Sequence, residues 1–323
     1  MTLRNVLAAS AATTALLLAA TPGSADSAHD DHVASLDQAT IYGHSIAYLD
    51  IGNPDDPAVL LLHGIPTNSF LFHQVAPAIA EGGYRVIAPD MLGFGASDRP
   101  DDAAAYATDA RANRMFALAD HLGVEDFTLV LHDVGGITGW KMIETGPDRL
   151  EAVVATNTLA DLAGVQPAPL VMQMMGGQLS PMDAFAGLDD PAIARDMAQM
   201  WLDQGYWGDG TAPSDIVDAF GADLVGAQVT YTTFFGMAVP AFMQEEEARN
   251  AALAGFEGPT AVIFGERDGF FDHTVVVPDL QTRLGTEDTN VIRIPDAGHF
   301  LQLQEPDAYV DALTAFLGSV IAN

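Results

Sequence analysis

LVLHDVGGITGW, residues 129–140, is the stretch on which the reading of this chain turns. Its apolar run ends at His132 and Asp133, the pair Gly135 and Gly136 follows, and a helix-like segment begins. A strand that turns this sharply into a helix lifts one side chain into a cleft, which is the shape of a nucleophile elbow. Serine usually holds that place; here it is Asp133. An Asp at a helix start also serves as an ordinary N-cap, so the elbow has to be read together with the rest of the chain.

Apolar runs rich in β-branched residues flank the elbow on both sides, at 45–50, 58–63, 85–89, 127–132, 151–156, 260–265 and 290–294. Continuous apolar strands, as opposed to alternating ones, belong to a parallel sheet covered on both faces. Helical patterns fall between them at 70–81, 104–122, 137–146 and 305–320. The expected fold is α/β, a doubly wound, mostly parallel sheet. The alternation breaks between 160 and 256, a stretch rich in Met and Ala, which reads as a helical cap inserted into a core of residues 38–159 and 257–323.

In an open α/β sheet, sites form at the carboxyl ends of the strands. The stretch LLLHGIPTNSF (60–70) offers a Gly64 turn that can aim the Ile65 N–H into a cleft. At the elbow, the Val134 N–H stands at a helix start beside Asp133, and two such donors make an oxyanion hole. FGERDGFFD (264–272) supplies Asp268 and Asp272 just past a buried strand. IPDAGHFLQLQEP (294–306) supplies His299 after a flexible Ala297-Gly298 pair. Nucleophile, acid, histidine is the chain order of α/β hydrolases. Each feature is weak alone; in order, each at a strand end, they reinforce one another.

HGIPTNSFLF, GYRVIAPDMLGFGASDRP, LHDVGGITGW, ATNTLADL, FGERD and DAGHFLQ together resemble the α/β-hydrolase superfamily. More narrowly they resemble its Asp-nucleophile branch, the haloalkane dehalogenases and, next, the epoxide hydrolases. The resemblance implies the α/β-hydrolase fold with a helical cap, Asp133 as nucleophile, His299 as base, Asp268 as its acid partner, and Ile65 and Val134 as oxyanion donors. It implies no metal and no organic cofactor. A carboxylate nucleophile suits a saturated carbon bearing a leaving group, forming an alkyl ester that water then hydrolyses. Two departures stand out: Val134 replaces the family's Trp after the nucleophile, and Ile65 stands where many members carry Asn. Trp201, Trp207 and Asn157 are the remaining candidate halide donors, and Tyr206 and Tyr231 the candidate acids over an epoxide, with Tyr231 preferred. Phe185, Met197, Trp201, Phe234, Phe235 and Met237 suggest an apolar pocket for a small uncharged substrate. The first functional reading is a dehalogenase-like hydrolase and the alternative an epoxide hydrolase. An esterase or lactonase, or a non-catalytic ligand-binding protein, are further alternatives.

The bulk properties narrow the setting. The 323 residues carry a formal net charge of −32, and the single Lys is Lys141. Such a surface repels nucleic acid and anionic membranes and stays soluble in salt. There is no cysteine, which excludes thiol chemistry and thiolate metal sites. MTLRN, the apolar VLAASAATTALLLAA and the small-residue exit TPGSA read as a signal peptide over 1–25. The expectation is an exported protein, periplasmic or secreted, in a saline environment, with no membrane insertion after cleavage. Residues 26–37, polar and containing His29 and His32, read as a flexible N-terminal segment.

Overall fold

The structure, a computed structural model, describes residues 25–166, 173–174, 176–208 and 210–321. The expected signal segment therefore lies outside the described residues, Ala25 excepted. Eight strands form one sheet in the order β1-β2-β4-β3-β5-β6-β7-β8. They are β1 Asp37–Ile41, β2 His44–Ile51, β3 Ala58–Leu62, β4 Arg85–Pro89, β5 Phe127–His132, β6 Leu150–Thr156, β7 Thr260–Gly265 and β8 Val291–Ile294. Strands β3 to β8 are parallel, with Leu60 beside Leu129 and Leu131 beside Ala155. Every residue of β3, β5 and β7 is buried, which is why those strands read as unbroken apolar runs.

The strand absent from the sequence reading is β1, DQATI. It is an antiparallel edge strand whose outer positions face water, so its polar composition hid it. Tyr42 and Gly43, at φ 50° and 82°, make the tight turn into β2. Two expected helices are broken. The 70–81 pattern is a 3-10 turn, Ser69–Phe72, followed by the helix Ala76–Glu81. The 104–122 pattern is likewise a 3-10 turn, Ala103–Tyr106, followed by Thr108–His121. The helices Gly135–Thr145 and Pro306–Ile321 lie where the periodicity placed them. None of the helices among the described residues is long and apolar enough to cross a membrane.

Residues 26–37 are not a loose segment. Ala25–Ser35 is a helix that runs into β1. His32 is buried and its Nε2 lies 2.8 Å from the Ser69 hydroxyl, while His29 Nε2 lies 3.4 Å from Asp223 Oδ1. Both rings stand edge-on to Phe70. A polar composition reads as a tail; here the histidines are packing groups.

Between β6 and β7 the chain builds the cap. Its main helices are Pro191–Trp201, Ser214–Leu224 and Glu246–Gly255, with a kinked turn at Leu202–Tyr206, where Gly205 has φ 104°, and a π-helical turn at Phe234–Ala238. Phe185, Phe220, Tyr231 and Phe234 are fully buried within the core that also contains the sheet. Each such ring contributes about 1.5–3 kcal/mol by burial, which holds the cap down on the sheet.

Candidate active site

Asp133 follows β5 with φ of 50°, a conformation that an L-residue adopts only under constraint. The constraint is close packing of the turn after β3 against the elbow. A Cβ on Gly64 would stand 2.3 Å from the Asp133 Cβ, and one on Gly135 would stand 2.6 Å from the His63 carbonyl oxygen. Both positions must be glycine for the two turns to meet. Leu131, bulky beneath the elbow, fits because a side chain on Gly139 would fall 2.1 Å from it and is absent.

The backbone of Asp133 is pinned on both sides. Its N–H donates to the Asn157 carbonyl at 3.0 Å, and its carbonyl accepts from the Thr158 hydroxyl at 2.6 Å. One carboxylate oxygen, Oδ1, accepts the Ile65 N–H at 2.8 Å. The other, Oδ2, has no hydrogen-bond partner among the described residues and lies 3.5 Å from His299 Nε2. His299 Nδ1 is 2.8 Å from Asp268 Oδ2. Asp268 is itself held by the Phe270 and Phe271 N–H groups at 2.8 and 3.0 Å and by Asn157 Nδ2 at 2.7 Å. His132 Nε2 is 2.9 Å from the His299 carbonyl oxygen, fixing the loop that presents the imidazole.

Burial opposes charge on every group here, yet the pair at the centre is charged. Burial lowers the affinity of His299 for its proton, but the Asp268 and Asp133 carboxylates outweigh it and raise the pKa to about 9. Burial likewise works against the Asp133 carboxylate, and the His299 imidazolium more than compensates, holding Asp133 below the usual carboxylate range. The resting site is an imidazolium between two carboxylates. His132, buried and beside His299, is pushed down to about 4 and is neutral.

A cavity of ≈ 70 Å³ opens over Asp133. Ile65, Val134, Phe234, Phe270 and Phe271 are among its walls, and its only polar side chains among the described residues are Asp133 and Tyr206. Burial, then Asp133 and Asp268, hold the Tyr206 hydroxyl well above its ordinary pKa, so it remains a proton donor. Its ring stands at right angles to the His299 ring, with centroids 4.9 Å apart. A larger polar groove of ≈ 720 Å³ lies elsewhere, beside Thr260 at the start of β7. That is the wrong end of a parallel sheet for a site, and Asp133 does not line it.

Ile65, Val134, Asp133, Asp268, His299 and Tyr206 thus meet where the sequence reading brought them. Others do not. Tyr231 is buried among Phe94, Phe185 and Trp201, outside the cavity wall, so Tyr206 takes the place for which Tyr231 was preferred. Trp201 packs against Phe185 and Tyr231; its buried indole N–H has no partner among the described residues and does not face the cavity. Trp207 lies against Phe300 and takes a hydrogen bond from Gln304 on its carbonyl. Asn157 is no halide donor: its side chain bridges Asp268, the Gly298 carbonyl and the Gly265 N–H. Asp272 caps the helix His273–Leu284 and is not the acid partner. Of the expected pocket residues, Phe234 and Phe235 line the cavity, whereas Phe185 and Met197 do not and Met237 is 40% exposed. Phe270 and Phe271 were missed as site residues; their signal was the turn that Asp268 opens, whose N–H groups fold back on its carboxylate.

Residues 57–192 match the family model described as alpha/beta hydrolase fold. The elbow and strands β3 to β6 lie within that match. This protein has the α/β-hydrolase fold. The chain is 37% identical over 130 residues to a haloalkane dehalogenase of Psychrobacter cryohalolentis, a match that covers 40% of this chain and 43% of that protein. It is 34% identical over 164 residues to an epoxide hydrolase of Caballeronia sordidicola, covering 49% of this chain and 48% of that one. The chain thus matches less than half the length of each of these two relatives. The crystal structure of the haloalkane dehalogenase DpaA from Paraglaciecola agarilytica superposes with a TM-score of 0.67 at 22% identity, over 87% of this chain and 92% of that one. At that identity the likeness speaks for the fold, cap included, and for the fold alone.

Proposed function

We propose that this hydrolase cleaves a bond between a saturated carbon and a leaving group through an alkyl ester on Asp133. The observation that carries this reading is the unbonded Asp133 Oδ2 at the floor of an apolar cavity, with His299 Nε2 3.5 Å away and the Ile65 N–H on the other oxygen. In the first step Oδ2 attacks the carbon and the leaving group departs with the bonding electrons. Esterification removes the negative charge of Asp133. One of the two carboxylates that hold the proton on His299 is then gone, and the imidazole releases that proton to water as the counterpart of the departing anion, or to the ring-opened oxygen when the substrate is an epoxide. Neutral His299 next takes a proton from water, whose oxygen attacks the ester carbonyl carbon. Negative charge grows on Oδ1, where the Ile65 N–H already points; the Val134 N–H is the second donor of this oxyanion hole. Asp268 steadies the imidazolium that forms. The imidazolium returns its proton to Oδ2 as the Cγ–Oδ2 bond breaks, so the alcohol leaves with Oδ2. The oxygen from water completes the Asp133 carboxyl, whose proton restores the imidazolium.

Carbon–halogen hydrolysis is the first reading, supported by the dehalogenase relative. Epoxide opening is the second, and Tyr206 favours it. An epoxide oxygen needs a proton as the ring opens, and the Tyr206 hydroxyl is the one O–H donor among the described wall residues. The wall admits a small apolar substrate, and the acidic composition with the apolar 6–20 stretch supports export into a saline exterior.

Intact-mass analysis of His299→Gln exposed to a bromoalkane and, separately, to an epoxide tests the proposal. Without the base the ester accumulates. An alkyl adduct on Asp133 supports the first reading, a hydroxyalkyl adduct alone the second. No adduct from a panel of either substrate sinks the covalent mechanism.

A further inference from the structure

The chain has few cations and many acids, and one of its cations is placed against expectation. Arg111, on the helix Thr108–His121, is 4% exposed. Its Nε donates to the Thr138 hydroxyl at 3.1 Å and its Nη2 approaches the Met91 sulfur at 3.8 Å. Its Nη1 has no partner among the described residues. Among the described residues every other arginine reaches a carboxylate or a backbone carbonyl. Arg85, Arg149, Arg195, Arg267, Arg283 and Arg293 meet acids. Arg99, Arg114 and Arg249 meet carbonyls. A buried cation lacking an anion is costly, and a protein with this surplus of acids had many ways to supply one.

The surroundings of Arg111 explain what it is left open for. Its guanidinium carbon lies 5.6 Å from the ring centre of Phe234 and 6.0 Å from that of Phe94. Phe234 lines the cavity over Asp133, as does Ile137, the neighbour in sequence of Thr138. Arg111 therefore stands one aromatic ring behind the cavity wall. Phe234 opens the π-helical turn Phe234–Ala238, a local irregularity of the kind that accompanies functional movement in helices. Burial, with a further push from Arg114, brings Arg111 down to about 10, still a cation at neutral pH.

We propose that Arg111 is an anion-binding group: a small monovalent anion reaches its Nη1 from the cavity when the Phe234 ring turns aside. The anion has two sources with the same chemistry, a halide released at Asp133 or a carboxylate carried by the substrate. In the halide case the inference rests on the proposed reaction. Once the ester has formed and His299 has given up its proton, no cation is left at the cavity floor among the described residues, and Arg111 is the positive station that remains for the halide. Phe94 and Phe234 keep the guanidinium dry while the station is empty, by cation–π contact.

The test is calorimetric titration of the wild-type protein with bromide and with propionate at constant ionic strength, repeated on Arg111→Met and Phe234→Ala. Saturable binding that weakens at least tenfold in Arg111→Met and is kept or tightened in Phe234→Ala supports the site. Bromide alone then identifies the leaving group, propionate alone a substrate carboxylate. Equal binding by wild type and Arg111→Met overturns the proposal, as does no binding by either wild type or Phe234→Ala. Should Arg111→Met not fold, the comparison of wild type with Phe234→Ala decides. No turnover is involved, so the proposed reaction and this site fail separately. An adduct on Asp133 without anion binding removes only the site, and anion binding without an adduct removes only the reaction.

Discussion

The floor and the roof of the cavity are built on opposite principles. The floor is polar, and almost every group in it is assigned a partner. The Asp133 backbone is tied to Asn157 and Thr158, one of its oxygens to Ile65, and His299 to Asp268. The roof and side walls are apolar, with Phe234, Phe235, Val239 and Phe242 contributed by the cap and, among the described residues, only the Tyr206 side chain able to donate a hydrogen bond. Directional bonds hold atoms to fractions of an ångström, whereas apolar contacts hold a shape and tolerate exchange. The floor therefore decides whether a reaction runs and the roof decides on what.

That division is open to attack, most strongly at the acid. Asp268→Asn removes the leading cause of the raised His299 pKa and should cut turnover by about 10³–10⁴-fold. It should also move the His299 titration, followed by NMR, downward from about 9. The sign for stability follows. A histidine whose folded pKa lies above its ordinary value near 6.5 contributes stability that is whole below that value and is lost as pH rises through about 9. Wild type should thus lose stability between those limits and Asp268→Asn should lose less; equal losses in thermal melts at the two pH values would contradict the charged resting pair.

A backbone substitution comes next in size. Gly64→Ala places a Cβ 2.3 Å from Asp133 and must push its side chain aside. A displacement near 1 Å costs about 100-fold in rate. Steady-state kinetics unchanged from wild type would mean that the two turns are not held as tightly as they pack.

Smaller still is Tyr206→Phe, which keeps the ring stacked on Phe270 and deletes the one hydroxyl in the wall. If an epoxide is the substrate, turnover should fall by about 10²-fold or more, the range of a lost general acid. If a halide leaves, the fall should be about tenfold and appear in product release. The same change in Tyr231, which lies outside the wall, should leave kinetics untouched, and a comparable loss there would put the floor-and-roof division in the wrong place. Least of all should Phe235→Leu affect the chemical step. It should alter KM between substrates of different length by a few-fold while leaving the yield of adduct in His299→Gln unchanged, as read by mass spectrometry.

The fold class and the meeting of Asp133, Asp268 and His299 were legible because they rest on local constraints. A buried parallel strand must be continuously apolar, a sharp strand-to-helix turn needs glycines beside it, and the three polar residues stand at strand ends in a fixed order. These rules act over a few residues and leave marks in composition. Legibility failed where side chains meet across long separations. Tyr206 and Tyr231 are equally tyrosine, and which one enters the cavity depends on how the turn Leu202–Tyr206 and the helix Gln228–Thr233 pack on the core. Asn157 looked like a donor to the substrate, and only the approach of the Asp268 loop, 111 residues further on, takes its amide. The segment after residue 25 looked like a tail, because nothing in its own sequence announces Phe70 or Asp223.

By itself, then, the sequence determined a doubly wound α/β sheet, an aspartate on an elbow, and a histidine and a second aspartate in order behind it. Each is the consequence of backbone geometry that only certain residues can adopt. Tertiary structure alone decided which cap residues face Asp133, that its Oδ2 stays unbonded beside an imidazolium, and that Arg111 is sealed one ring behind the wall without an acid. Those outcomes depend on the distances between groups far apart in the chain, and charge, burial and hydrogen bonding act through distance.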